Sequence, residues 1–343
     1  MLKASSTIAA GLAVVMASGP ALAGKDLDAV KARGALLCGV GTGTAGFMLA
    51  DSQGKWKGLN VDVCRAVSAA IFGDAEKVKY VPLTSQQRFT ALQSGEVDML
   101  SNNTTWTLTR DTALGLEFTG VTYYDGQGFM VNKKLGVKSA KELNGATVCV
   151  APGTTTELNL ADYFRANKMQ FKPVVIEKAD EIRAAFFSGR CDVYTTDASA
   201  LAAVRVANVP APQKPEDYVV LPEIISKEPL GPVVRHGDNQ FGDIVKWALF
   251  AMVEAEEYGI NSKNVDEMLK SDNPTIKRIL GVTPGMGKAL GVDEKWVYNI
   301  VKQVGNYGES FDRNVGKESI LNIDRGVNRL WTQGGLQYAP PIR

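Results

Sequence analysis

The chain has 343 residues, 45% apolar and 22% charged, which is ordinary globular composition and excludes a disordered or fibrous chain. That length suits two domains of roughly 150 residues each. Its 38 basic and 37 acidic residues give a net charge of +1, and a near-neutral chain lacks the cationic field that nucleic acid or an anionic membrane requires.

The first residues point to export. Lys3 supplies a positive start, Ile8 to Ala17 an apolar run, and Ala21-Leu22-Ala23 a small-x-small cleavage site. Residues 1–23 therefore read as a secretory signal peptide cleaved after Ala23, too short and poorly flanked to span a bilayer. No cysteine follows the cleavage site, so lipid anchoring is not indicated. No later segment reaches the ~18 apolar residues of a membrane span.

Leu36 to Val40 reads as a buried strand. After the polar turn Asp51 to Gly54 and Gly58-Leu59-Asn60, a helix places Val63, Ala66, Val67, Ala70 and Ile71 on one face. Val78 to Pro82 is a second strand, a helix runs from about Ser85 to Gly95, and Val97 to Leu100 is a third strand. The order restarts with strand Thr147 to Val150, helix Glu157 to Phe164, strand Val174 to Ile176, helix Glu181 to Phe187 and strand Cys191 to Thr195. Ser94-Gly95-Glu96-Val97-Asp98 is echoed by Ser188-Gly189-Arg190-Cys191-Asp192. Such alternation predicts two parallel sheets with helices on their faces. Both third strands run into polar residues, and ligands of open parallel sheets bind beyond the strands' carboxyl ends. Two halves facing one another would line a cleft. Tyr123 to Asn132 and Ile224 to Arg235 read as two crossings, hence a hinge, and Asp238 to about Tyr258 as a long helix. The remainder to Arg343 looks helical and irregular, with no recognisable chemistry.

Export makes the four cysteines candidates for disulfides. Cys38 lies on the first strand and Cys64 on the helix after it, while Cys149 and Cys191 lie on strands expected to be neighbours. One bridge per half, Cys38–Cys64 and Cys149–Cys191, keeps each link local; four buried free thiols are the alternative. There is no C-x-x-C pair and the one histidine is His236, so no metal site is expected.

Gly41-x-Gly43-x-x-Gly46 matches a dinucleotide-binding pattern, but Phe47 leads to the turn Asp51 to Gly54, not into a helix that could hold pyrophosphate. No cofactor is expected. Pro152-Gly153-Thr154-Thr155-Thr156-Glu157 stands between a strand and a helix, with Thr154 as the expected N-cap of a capping box. The free amides of that first turn and the Thr155 hydroxyl suit a carboxylate; a plain helix cap is the other reading. Arg110 follows the third strand of the first half and offers a two-pronged donor for a carboxylate. Asp197 ends the matching strand of the second half, where it could take an ammonium group. A surface salt bridge for Arg110 and a helix cap for Asp197 are the structural alternatives. Catalytic machinery is not recognisable: there is no G-x-S-x-G elbow, and His236 lies in a charged turn.

Gly58-Leu59-Asn60-Val61-Asp62-Val63 resembles the G-F-D-x-D-hydrophobic stretch of periplasmic solute-binding proteins for polar amino acids (family 3). Residues 101–110, the Gly-Thr-Thr loop at 153–155 and Gly-Arg-x-Asp through Asp197 match the same family in order and spacing. The likeness covers about residues 35–260, and with its tail the chain most resembles the general L-amino-acid-binding component of ABC importers. The resemblance implies a two-lobed α/β clamshell: lobe 1 from 24–127 and 228–260, lobe 2 from 128–227, and a helical extension, 261–343, packed on lobe 1. It implies a periplasmic monomer that binds L-amino acids and serves a membrane permease. It also implies that Arg110 grips the ligand α-carboxylate with Thr105 and Thr155 beside it. Asp197 and Asn103 would hold the α-ammonium, and Ser85 and Arg88 would meet the ligand side chain. Where many members stack an aromatic ring on the ligand this chain places Thr44, with Phe47 as the candidate substitute. Gly41 and Ala179 replace polar contacts of acidic-ligand binders, which favours a permissive pocket. The rival reading is an enzyme on the same fold, such as a cyclohexadienyl dehydratase-like protein, which would need an acid–base group beside the clamp.

Overall fold

The computed structural model describes residues 24–343; the leader expected at 1–23 lies outside the described residues. Helix α1 (Lys25–Arg33) ends on Gly34 in the left-handed conformation and leads into strand β1 (Leu36–Val40). The glycine-rich segment after it turns through a small hairpin, β2 (Leu49–Ala50) and β3 (Trp56–Lys57), before α2 (Leu59–Phe72). Strand β4 (Val78–Pro82), helix α3 (Gln87–Ser94), strand β5 (Met99–Leu100), the short helix α4 (Leu108–Thr112) and strand β6 (Leu116–Phe118) follow. A first crossing, β7 (Tyr123–Asp125), continues into β8 (Gln127–Asn132). Then come β9 (Thr147–Val150), α5 (Thr155–Ala166), β10 (Lys172–Val175), α6 (Ala179–Phe187), β11 (Val193–Asp197), α7 (Ala198–Ala207) and β12 (Tyr218–Val220). The chain returns through β13 (Glu228–Leu230) to β14 (Val233–Arg235) and the long helix α8 (Asn239–Glu257), capped by the Asp238 carboxylate.

The two halves repeat one topology. The first sheet runs β4-β1-β5-β14-β6 and the second β10-β9-β11-β8-β12. In each, three parallel strands meet two antiparallel ones at the far edge. The echoed sequence stretches occupy equivalent places: Gly95 and Gly189 both adopt φ +80°, the conformation that lets the chain leave a helix sharply. Just beyond, Asp98 accepts the Leu37 amide at 2.7 Å and Asp192 accepts the Thr147 amide at 2.8 Å. These carboxylates take the neighbouring strand's donors, so both third strands begin their ladders later than hydropathy predicts, at Met99 and Val193.

The crossings β7 and β13 pair antiparallel, Glu228 opposite Asp125 and Leu230 opposite Tyr123, so the hinge is a two-stranded ribbon. The segment after α8 packs the helix Trp296–Gln303 and the helix Tyr307–Asn314 against α2 and α8, within the same apolar core as β1. It also reaches the hinge. Asn328 accepts the Tyr124 amide at 2.7 Å and donates to its carbonyl at 3.0 Å, as an added strand would. Both cysteine pairs are bonded, Cys38 to Cys64 and Cys149 to Cys191, each within one half.

Candidate functional site

The polar ends of β5 and β11 face one another across a cleft between the lobes. Lobe 1 lines it with Thr44, Met48, Ser85, Arg88, Asn103 and Thr105; lobe 2 lines it with Thr155, Glu177, Ala179, Arg183, Tyr194 and Asp197. The cleft is shut. Thr84 donates to Glu177 at 2.6 Å, Arg183 donates to the Gly43 carbonyl at 3.2 Å, and the Thr105 and Thr155 hydroxyl oxygens stand 3.2 Å apart.

Arg88, on the first turn of α3, is buried; its Nη1 donates to the Asn102 carbonyl at 3.2 Å and its Nε has no hydrogen-bond partner among the described residues. Burial pushes its pKa down to about 9, with the nearby Arg110 charge adding to the effect and Asp197 and Glu228 opposing it. An unsatisfied buried donor on a cation is costly, and an acceptor placed in the cleft would relieve that cost. Arg110 lies one layer behind, where its Nη1 donates to the Thr105 carbonyl at 2.9 Å. It does not line the cleft wall, nor does it form a surface salt bridge among the described residues; burial holds its pKa below the ordinary value, opposed by Glu228 and Asp197.

Asp197 ends β11 as the N-cap residue of α7, but its side chain makes no capping bond. The carboxyl is buried and held well above the ordinary range by burial and then by Asp125 and Glu228. A buried carboxylate with no capping bond would gain from a cation placed beside it. Asn103, with φ +41°, adopts the left-handed conformation, and its side-chain oxygen accepts from Asn60 at 2.7 Å. A non-glycine residue there stores strain of about 1–3 kcal/mol, a feature that concentrates at ligand clamps.

Thr155 opens α5. Thr154 accepts the Glu157 amide at 3.1 Å, whereas the Glu157 carboxylate takes the Gly153 amide at 3.0 Å, so the expected box is formed in one direction only. The first amides of the helix have no intrahelical acceptor and face an anion's preferred position. Phe47 does not reach the cleft. Its ring is fully buried in lobe 1, edge-on to Tyr123 at 5.4 Å, because an apolar ring gains more in that core than at a polar opening. Thr44 and Met48 stand at the wall instead. Sequence reading missed Thr84, Glu177 and Arg183, which tie the rims, and Glu228, which lay inside a segment taken as a link.

Two hinged lobes closing on a cleft with the Arg88 guanidinium on one side and the Asp197 carboxylate on the other make a ligand-capturing clamshell. The chain belongs to the bacterial extracellular solute-binding proteins, family 3, whose pattern matches residues 36–264. It is 56% identical over 337 residues to the general L-amino acid-binding periplasmic protein AapJ of Rhizobium johnstonii, covering 98% of each chain. It is 57% identical over 318 residues to the glutamate/glutamine/aspartate/asparagine-binding protein BztA of Rhodobacter capsulatus, covering 92% of this chain and 93% of that protein. A periplasmic binding protein from Brucella ovis, solved with glutathione bound, superposes with a TM-score of 0.89 at 58% identity, covering 92% of this chain and 99% of that one.

Proposed function

We propose that this protein is a periplasmic receptor that captures L-amino acids by lobe closure and delivers them to the permease of an ABC importer. One observation carries the reading: the buried Arg88 guanidinium of lobe 1 and the uncapped Asp197 of lobe 2 line the same cleft, with the buried Arg110 one layer behind Thr105. Together they complement the two charges that every amino acid shares. Arg110 takes the α-carboxylate with Thr105 and Thr155 beside it, Asp197 and Asn103 take the α-ammonium, and Ser85 and Arg88 meet the side chain. The names of the relatives support a broad range that includes glutamate, glutamine, aspartate and asparagine. The leader ends at Ala23, and the mature monomer comprises lobe 1 (24–127 and 228–260), lobe 2 (128–227) and the extension (261–343).

Glutathione in the Brucella ovis relative favours adding γ-glutamyl peptides to that range. Their glutamyl end keeps a free α-amino and α-carboxyl group, and Ala179 puts only a methyl group on the cleft wall. Native mass spectrometry of the purified protein, followed by calorimetry with amino acids and glutathione, tests both statements. A cleft that binds no amino acid overturns the receptor reading, and chemical turnover of a bound ligand replaces it with the enzyme reading.

A further inference from the structure

The Glu228 carboxylate is 1% exposed and lies on the return strand of the hinge. Four donors converge on it. Oε2 accepts the Thr105 hydroxyl at 2.6 Å and the Thr155 hydroxyl at 2.8 Å; Oε1 accepts Asn159 Nδ2 at 2.8 Å and the Ser226 hydroxyl at 2.6 Å. Thr105 belongs to lobe 1, Thr155 and Asn159 to α5 of lobe 2, and Ser226 to the crossing itself. A carboxylate has about four acceptor positions, and all are filled.

We propose that Glu228 is a positioning residue of the amino-acid site, a buried hinge carboxylate on which lobe closure is completed. The inference rests on the receptor reading. Thr105 and Thr155 stand on opposite lobes, so one oxygen can hold both hydroxyls only when the cleft is shut. Opening strips at least one charge-assisted hydrogen bond from a group that remains near the hinge, and such bonds exceed neutral ones in strength. Glu228 therefore favours the closed state whatever side chain the ligand carries. It also fixes the direction of both hydroxyls. Each has a single proton, and a hydroxyl turned to Glu228 offers the ligand lone pairs only. The donors left for a ligand carboxylate are then the guanidinium groups and the first amides of α5.

A contact present only in the closed state acts on ligand escape, not on encounter with the open form. In stopped-flow binding with whichever panel amino acid the wild type holds, Glu228→Gln should raise koff about tenfold or more and leave kon within about twofold. The ratio of glutamate to glutamine affinity should stay at its wild-type value. Thr155→Val deletes one of the hydroxyls and keeps the backbone amide. If Glu228 acts through it, the Glu228→Gln and Thr155→Val effects on koff are non-additive in the double variant. Should Glu228→Gln fail to fold, Glu228→Asp keeps the charge, shortens the reach by one methylene, and carries the same comparison. An unchanged koff, a slower kon alone, or additive effects overturn the inference. If the wild type binds no amino acid, the receptor reading fails first; if it binds and koff does not move, only the role of Glu228 fails.

Discussion

Arg88 and Arg110 share one aromatic ring, each guanidinium carbon lying 5.0 Å from the centroid of Phe89. The ring face offsets part of the cost of burying two like charges, by about 0.5–2 kcal/mol each. Neither group makes a direct ion pair with a carboxylate among the described residues; both donate to backbone carbonyls instead. The cleft is thus short of an anion on the lobe 1 side.

Removing the inner cation should cost affinity for every ligand. Arg110→Ala is expected to fold and to bind amino acids at least ~100-fold more weakly, because losing one partner of a desolvated charge pair costs about 3–5 kcal/mol. Calorimetry across the amino-acid panel measures it. Near-normal affinity would remove Arg110 from the site and leave its bond to Thr105 as a purely structural one.

Arg88 should act on selectivity. Its unpartnered Nε and its place on the cleft wall suit a ligand side-chain oxygen. Arg88→Met keeps much of the stem and deletes the charge, and a charge-assisted bond is worth roughly 1.5–3 kcal/mol. Glutamate and aspartate should weaken by about tenfold to a hundredfold, while glutamine and aliphatic amino acids change little. Equal losses for all ligands in a competition assay would mean that Arg88 shapes the fold.

What could be read in advance was local. Strands Leu36–Val40 and Thr147–Val150 fall where hydropathy puts them, since each is a short, mostly apolar run between turns, and Val78–Pro82 falls where its β-branched and aromatic residues put it. Asp197 was legible because the two halves repeat, so the polar end of one strand points to its counterpart. Glu228 was not. Its partners Thr105, Thr155 and Asn159 lie 123, 73 and 69 residues away, and no local pattern encodes such a meeting. Phe47 misled for a related reason: an aromatic residue after a glycine turn serves a cleft or a core equally well, and Tyr123, from the hinge, decides for the core.

The bridges should stabilise each lobe without setting affinity. They join residues 26 and 42 positions apart, for which chain-entropy reasoning gives about 3–4 kcal/mol apiece. Replacing either pair by alanine should lower Tm by roughly 5–15 °C and change amino-acid affinity by less than about threefold, a factor worth under 1 kcal/mol. Thermal unfolding with and without reductant, and peptide mapping without it, check this. Lost binding in a protein that stays folded would show that a bridge shapes the cleft.

Affinity should fall in acid, through the ammonium side of the site. Burial holds the Asp197 carboxyl well above its usual range, with Asp125 and Glu228 adding repulsion. Asp125, which accepts the Ser199 hydroxyl and amide, is itself pushed up to about 6, by burial first. An ammonium group set on Asp197 favours the charged carboxylate, so binding lowers a pKa that is raised in the free protein. The sign follows: affinity is complete above the raised value and is lost as pH falls through it, because the free cleft then holds a proton that the ligand must expel. One such proton weakens binding about tenfold per pH unit on the acid side. Glutamine is the suitable probe, since its side chain does not titrate and its α-carboxyl, lowered by the adjacent ammonium, stays charged throughout. Calorimetry should show affinity falling as pH is lowered from neutral toward the ordinary carboxylate range, with proton release counted by repeating the titration in two buffers of different ionisation heat. Asp125→Asn removes one of the repelling carboxylates and should move the loss to lower pH. A flat affinity from neutral to acid would mean that Asp197 is already charged in the free cleft, and that the ammonium meets a site prepared without it.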